Sequence, residues 1–295
     1  MEPPLLARLP DGRGLAYSEL GDPGGRPLFY CHGFPACRLE ARFAHEGASE
    51  AGFRLVAPDR PGLGRSDPRP GRRLLDWAGD VAALADQLQV DTYAVVGVSG
   101  GGPYALACAA GAPERIQAVG LVCALGPLPG SGDAAAMHWS ASLALRLARR
   151  APTLSGAVHR WLTVPLMTRF PDLSAALLGA SGSEADRRVL ADLEVRRRVR
   201  DNVSEALRQG GVGPAEDLAL LASDWGFEPE DVNVPVRLWH GDADAVVPPA
   251  MGARLAERLP RSRARILHGE GHYSLVVTRM SGILTDLARV IRGLR

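Results

Sequence analysis

Lysine is missing from this 295-residue chain: all 34 basic side chains are arginine, set against 33 acids, for a formal net charge of +1. The arginines are scattered among the acids rather than gathered in one tract, so no long-range field favours nucleic acid or anionic lipid. The arginine bias reads as genome composition rather than function. Cysteine is scarce as well. Cys31, Cys37, Cys108 and Cys123 lack metal-ligand spacing, and even the nearest pair, Cys31 and Cys37, sits in a proline-containing turn region. Four reduced thiols are expected, and no metal. No apolar run approaches the ~18 residues of a membrane span. Met1–Leu9 holds two prolines and an early acid but no apolar stretch of the kind found in a secretory signal. The expectation is a cytoplasmic protein without nucleic-acid or membrane partners, and nothing here specifies an oligomer.

Aromatic residues are few, 5%, but hydrophobic residues reach 46%. That is ample aliphatic material for a buried sheet and excludes a disordered or fibrous chain. At this length the expectation is one core carrying a large insertion. Leu5–Leu9 and Leu15–Leu20 flank an Asp11-Gly12 turn and read as a hairpin at a sheet edge. Pro27–Cys31 reads as a strand, Arg38–Ala51 as helix-compatible, Phe53–Ala57 as a strand, Leu74–Leu88 as an amphipathic helix and Tyr93–Val98 as a compact strand. A small-residue helix, Tyr104–Ala110, and a buried strand, Ile116–Ala124, follow. This is β-α-β alternation, the mark of an α/β fold with a mostly parallel sheet flanked by helices.

From Gly126 to Asp231 strand-like runs cease, and helical periodicity covers Ala134–Arg150, Leu154–Arg169 and Glu184–Gln209. Strand character resumes at Val234–Trp239 and Ala264–Leu267, covered by helices Pro249–Leu259 and Leu275–Leu294. The expected organisation is a core of residues 1–126 and 233–295 with a helical cap inserted at 127–232. No internal repeat or low-complexity tract is present.

Gly97-Val98-Ser99-Gly100-Gly101 fits G-x-S-x-G with a strand before it and a helix after it, the context of a nucleophile elbow. A serine hydroxyl is a weak nucleophile until a base takes its proton. His272, in the Gly269-Glu270-Gly271-His272 loop after the last strand, lies at the sheet end where such loops gather; His268 is the fallback. His45, His138 and His159 fall in helical stretches and read as surface or cap residues. An acid orienting the base should follow a strand between nucleophile and base, and Asp242 and Asp244 both do.

These motifs together resemble the α/β-hydrolase superfamily, whose members carry H-G-x-x-D-x-x-V-P where this chain has His240-Gly241-Asp242-Ala243-Asp244-Ala245-Val246-Val247-Pro248. The resemblance runs through His32-Gly33, Asp59-Arg60-Pro61-Gly62, the Ser99 elbow and Gly271-His272, and it is similar to bacterial members with a helical cap. It implies Asp244 as the acid and the backbone N–H groups of Phe34 and Gly100 as an oxyanion hole. His32 would orient its loop rather than move protons.

Asp59-Arg60-Pro61-Gly62 is explained by turn chemistry. Arg196-Arg197-Arg198 with Arg200 is surrounded by acids and reads as a solvated helix face. Trp139, Trp161 and Phe170 in the insertion either line the substrate roof or pack the cap onto the core, and packing is the simpler reading. Trp139 and Tyr273, the latter beside His272, are nonetheless the substrate-binding candidates. The expected chemistry is hydrolysis of a small-molecule acyl bond, carboxylic ester or lactone first, through an acyl-enzyme, with neither metal nor organic cofactor. The alternative is a hydrolase-fold receptor whose turnover is slow or incidental. A third reading, a dinucleotide loop at Gly97–Gly102, is weak, since G-x-G-x-x-G does not occur there and the segment sits deep in the chain.

Overall fold

The computed structural model describes residues 3–128, 137–170, 172, 176 and 182–293. Its eight-stranded sheet has the order β1-β2-β4-β3-β5-β6-β7-β8. Strands β1 (Leu5–Arg8) and β2 (Gly14–Gly21) form the expected hairpin, and β2 is antiparallel to β4 (Phe53–Pro58). All other pairings are parallel, through β3 (Arg26–Cys31), β5 (Tyr93–Val98), β6 (Ile116–Val122), β7 (Val236–Gly241) and β8 (Ser262–Leu267). Every residue of β5 is buried, because a parallel sheet covered on both faces leaves no polar side to its central strands. Strand β7 starts two residues later than Val234, after Pro235, whose nitrogen has no hydrogen to give a ladder. The outermost β8 is largely exposed and carries Arg263 and Arg265, charges that keep an edge from pairing further.

Helices α2 (Asp76–Gln87), α3 (Gly102–Gly111) and α10 (Pro249–Arg258) pack on one face of the sheet, burying Trp77, Val81, Leu106 and Leu255. On the other face lie α1 (His45–Ala51), preceded by a 3-10 turn over Arg38–Ala44, and α11 (His272–Arg292). Helix α11 buries Val276, Met280, Ile283, Leu284, Leu287 and Ile291, an apolar stripe at three- and four-residue spacing. Each such side chain contributes about 1.5–3 kcal/mol by leaving water.

Between β6 and β7 the described residues form only helices. These are α4 (Trp139–Arg150), α5 (Pro152–Val158) running through a π turn (His159–Thr163) into α6 (Val164–Arg169), then α7 (Glu184–Ala191), α8 (Leu193–Ala206) and α9 (Val212–Ala222). The expected helical residues 134–136 and Leu294 lie outside the described residues. The single helix expected over Glu184–Gln209 is two, because Asp192 is extended and its carboxylate accepts the N–H groups of Glu194 and Val195, starting a new helix. Helix α9 was not expected. Gly213 and Pro214 in its first turn disguise it, although proline is tolerated there.

Candidate active site

The loops after β3, β5, β7 and β8 all open at the carboxyl ends of parallel strands, where α/β sheets hold ligands. Ser99 follows β5 directly with φ of +52°, in the left-handed region a side chain avoids, so the elbow stores strain of about 1–3 kcal/mol. Glycine at 101 lets it close: a Cβ there would lie 2.0 Å from the Cys31 carbonyl oxygen.

His272 is the first residue of α11 rather than a loop residue. Its Nε2 lies 3.0 Å from Ser99 Oγ and its Nδ1 lies 2.8 Å from Asp244 Oδ2. Asp244 Oδ1 accepts the backbone N–H groups of Val246 and Val247, both at 2.9 Å, which fixes the carboxylate plane. His240 Nε2 is 3.4 Å from Asp244 Oδ2 and 2.9 Å from the Val247 carbonyl oxygen. Burial works against a charge on Asp244, but His272 and His240 outweigh it and hold the carboxyl well below the usual range. Burial alone would likewise depress the His272 pKa; the facing Asp244 carboxylate overrides it and raises the imidazole well above its ordinary range. An ionised Asp244 requires the proton on Nδ1 and leaves the Nε2 lone pair facing the Ser99 hydroxyl.

The other two expected backbone donors lie beside Ser99. A Cβ on Gly100 would sit 3.5 Å from the Phe34 nitrogen, so the two amides are neighbours across adjoining loops. His32 is buried, its Nε2 accepts the Arg60 N–H at 3.2 Å, and the remaining Nδ1–H donates to the Gly33 carbonyl at 3.0 Å. Burial first, and Arg60 second, keep that imidazole neutral. It shapes the loop and does not face Ser99.

A cavity of about 390 Å³ opens on Ser99, Gly100, Phe34 and His272, and its walls are mostly aliphatic, including Leu145, Val164, Met167, Val203, Leu218 and Leu221 from the inserted helices. Residues 26–277 match the family model described as the alpha/beta hydrolase fold. The chain belongs to the α/β-hydrolase family. Among curated relatives, the pimeloyl-[acyl-carrier protein] methyl ester esterase of Aromatoleum aromaticum is 32% identical over 75% of this chain and 81% of its own length. The dihydrolipoyllysine-residue acetyltransferase component of the acetoin cleaving system of Pseudomonas putida is 30% identical over 88% of this chain. The chain spans only 62% of that relative's length, and 39% and 45% of two others it matches. In fold, the chain is similar to a thermophilic esterase from Thermogutta terrifontis, with a TM-score of 0.73 at 21% identity, over 98% of this chain and 99% of that one.

Within this α/β hydrolase the expected residues divide. Ser99, His272 and Asp244 are within hydrogen-bond reach in series, and Phe34, Gly100 and the half-buried Tyr273 line the same cavity. Trp139 does not: its side chain is 71% exposed, while its neighbours His138 and Ser140 line the cavity. Trp139 is the first residue of α4 and follows His138, whose backbone is not helical. Trp161 is 73% exposed and Phe170 is 53% exposed. Of the two readings offered for His159, surface or cap, the surface one fails; it is buried, its Nδ1–H donates to the Ser155 carbonyl at 2.9 Å, and it lines the cavity. Asp242 and the fallback His268 pair with each other at 2.6 Å on the surface, the histidine 99% exposed.

Sequence reasoning passed over the buried charges that join insertion and core. Asp217 of α9 accepts from Arg60 at 2.8 Å, Arg72 at 2.7 Å and the Tyr104 hydroxyl at 2.6 Å. Arg60 in turn donates to the carbonyls of His32 and Gly33, so the Asp59-Arg60-Pro61-Gly62 turn supports the Phe34 loop as well as its own backbone. Glu205 of α8 accepts from Arg38 at 2.8 Å, and Arg38 is paired with Asp59 at 2.7 Å. Glu40 lines the cavity and accepts the Gly33 N–H at 2.7 Å and the Tyr30 hydroxyl at 3.2 Å; burial raises its pKa. No local motif marks Asp217 and Glu205, because their partners Arg60, Arg72, Tyr104 and Arg38 are more than 100 residues away.

Proposed function

We propose that this α/β hydrolase is a serine hydrolase that cleaves an apolar small-molecule acyl compound, a carboxylic ester or lactone, through an acyl-enzyme. The observation carrying this reading is the unbroken series Asp244, His272, Ser99, at 2.8 and 3.0 Å, opening on an aliphatic cavity of about 390 Å³. That volume falls in the range of about 300–1,000 Å³ usual for small-molecule sites. Esterases among the relatives and fold neighbours support the same class.

In this reading Ser99 Oγ attacks the acyl carbon as His272 Nε2 takes the hydroxyl proton, and Asp244 stabilises the resulting imidazolium. The carbonyl electron pair moves to oxygen, where the Phe34 and Gly100 amides hydrogen-bond the oxyanion. Collapse expels the alkoxide, which takes the proton from His272, and the acyl group remains on Ser99. A water then gives its proton to the same Nε2, attacks the ester, and the returning proton restores the Ser99 hydroxyl. The apolar walls accept the acyl chain, and residues 127–232 act as the cap that closes over it. The four cysteines are free and buried, which suits a reducing compartment such as the cytoplasm.

The test is labelling of the purified protein by a fluorophosphonate, alongside Ser99→Ala, with p-nitrophenyl esters of rising chain length as reporters. Labelling and turnover confined to wild type are expected. A folded wild type that resists the probe would remove the acyl-enzyme mechanism and favour a ligand receptor.

A further inference from the structure

We infer that Asp186, on inserted helix α7, is a positioning residue that holds the helix carrying His272, so that docking of the insertion sets the geometry of the base. The inference rests on the reading of His272 as that base. Asp186 is fully buried, and its two carboxylate oxygens accept the backbone N–H groups of His272 at 3.1 Å, Tyr273 at 2.7 Å and Ser274 at 2.9 Å. Oδ2 also accepts the Ser183 N–H at 3.0 Å, and Ser183 Oγ accepts the Asp186 N–H at 3.2 Å, which locks the carboxylate to the start of its own helix.

The amides concerned are those a helix leaves without intrahelical partners. Ordinarily a side chain at the position before the helix satisfies them. Here that position is Gly271, which has no side chain, and a carboxylate from a different part of the chain does the work. The vacancy at 271 is required by the arrangement: a Cβ there would lie 2.1 Å from Ser183 Oγ and 2.3 Å from Asp186 Oδ2. The negative charge also sits at the positive end of α11, a helix of 21 residues, where the aligned peptide dipoles favour it.

His272 is therefore fixed at both ends, its imidazole between Ser99 and Asp244 and its backbone on Asp186. Without Asp186, three N–H groups, two of them buried, lose their acceptor and the first turn of α11 relaxes by moving. That turn carries the imidazole, and Nε2 leaves its 3.0 Å contact with Ser99. The Ser183-to-Asp186 spacing reads in sequence as a local capping box. Its tertiary partner is the catalytic helix.

The test measures the rate constant of fluorophosphonate labelling per folded molecule, together with kcat and KM on p-nitrophenyl butyrate, for wild type, Asp186→Ala, Asp186→Asn and Ser183→Ala. Displacement of a reacting group by about 1 Å costs on the order of 10²-fold. Asp186→Ala should lose about that much in labelling rate and kcat, with KM within about threefold of wild type. Asp186→Asn keeps one acceptor oxygen and should recover part of the loss. A carboxylate that served only global stability would lower the melting temperature and leave the labelling rate of folded molecules unchanged. Wild-type labelling rates in folded Asp186→Ala and Asp186→Asn would overturn the inference. Should Asp186→Ala not fold, Asp186→Asn and Ser183→Ala decide it on the same scale. A wild type that is itself unlabelled would instead strike the reading of Ser99 and His272 on which the inference depends.

Discussion

Replacing Asp244 by asparagine tests the proposed chemistry with the least change of shape. The two oxygens of Asp244 are not equivalent: Oδ1 faces two backbone donors, Val246 and Val247 at 2.9 Å, and Oδ2 faces His272 Nδ1 at 2.8 Å. An asparagine turned with its NH₂ towards Val246 and Val247 would set donors against donors in a buried site, so its carbonyl must take the Oδ1 place. The NH₂ then faces His272, which can only meet it with an Nδ1 lone pair. The imidazole proton moves to Nε2, the atom that must accept from Ser99. A wrong tautomer of this kind costs about 10⁴-fold in kcat in a serine protease triad, about 5 kcal/mol of barrier. The pH dependence adds a signed prediction. His272 must be neutral to act, and Asp244 raises its pKa above the ordinary 6.5, so wild-type activity should rise with pH through a limb above that value. In Asp244→Asn the main raising charge is gone, burial of the imidazole weighs more, and the residual activity should show its limb at lower pH. Fluorophosphonate labelling rates from pH 5 to 9, as a set of about a dozen points, measure both effects. Loss of less than tenfold with an unmoved limb would refute the tautomer argument and the role given to Asp244.

Asp217→Ala should destabilise the fold by about 3–5 kcal/mol in urea unfolding, since it leaves Arg60 and Arg72 buried without their counter-charge. Burial opposes the Asp217 charge, yet the two arginines hold its native pKa far below the ordinary 3.8, so its contribution is complete above about pH 4 and is lost as pH falls through the native value. Wild type should therefore lose more stability than Asp217→Ala on acidification, and equal acid slopes would count against the ion-pair account. Val203→Trp fills part of the aliphatic cavity and should reduce kcat/KM for p-nitrophenyl octanoate about tenfold or more relative to acetate. An unchanged ratio would mean that the acyl chain lies elsewhere. Trp139→Ala should leave KM within about twofold for every ester, because the indole is exposed and away from the cavity lining; a large rise would restore it as a contact residue.

Much of the core was legible because its signals are short in range. Alternation of strand-like and helical runs, a glycine-flanked serine between strand and helix, and the turn after β7 are each contained within about ten residues, and the structure brings Ser99, Asp244 and His272 together from them. Boundaries shifted where a local backbone property intervened, as at Pro235 before β7 and at Asp192, which divides α7 from α8. The aromatics of the insertion failed for a different reason. Helical periodicity says that a residue belongs to a face, but a single sequence does not say which face meets the core, and Trp139 and Trp161 turned out to point at solvent while His159 points inward.

The sequence by itself determined the class of fold and the chemistry its loops offer, since both follow from local backbone preference and from residue types at fixed short spacings. Tertiary structure alone decided how those loops are held. Asp186 reaches His272 across 86 residues, Asp217 reaches Arg60 across 157, and Glu205 reaches Arg38 across 167. A buried carboxylate takes as its partner whichever donor the packing of distant elements presents. That choice is made by the burial of apolar faces throughout the molecule, and no neighbouring residue encodes it.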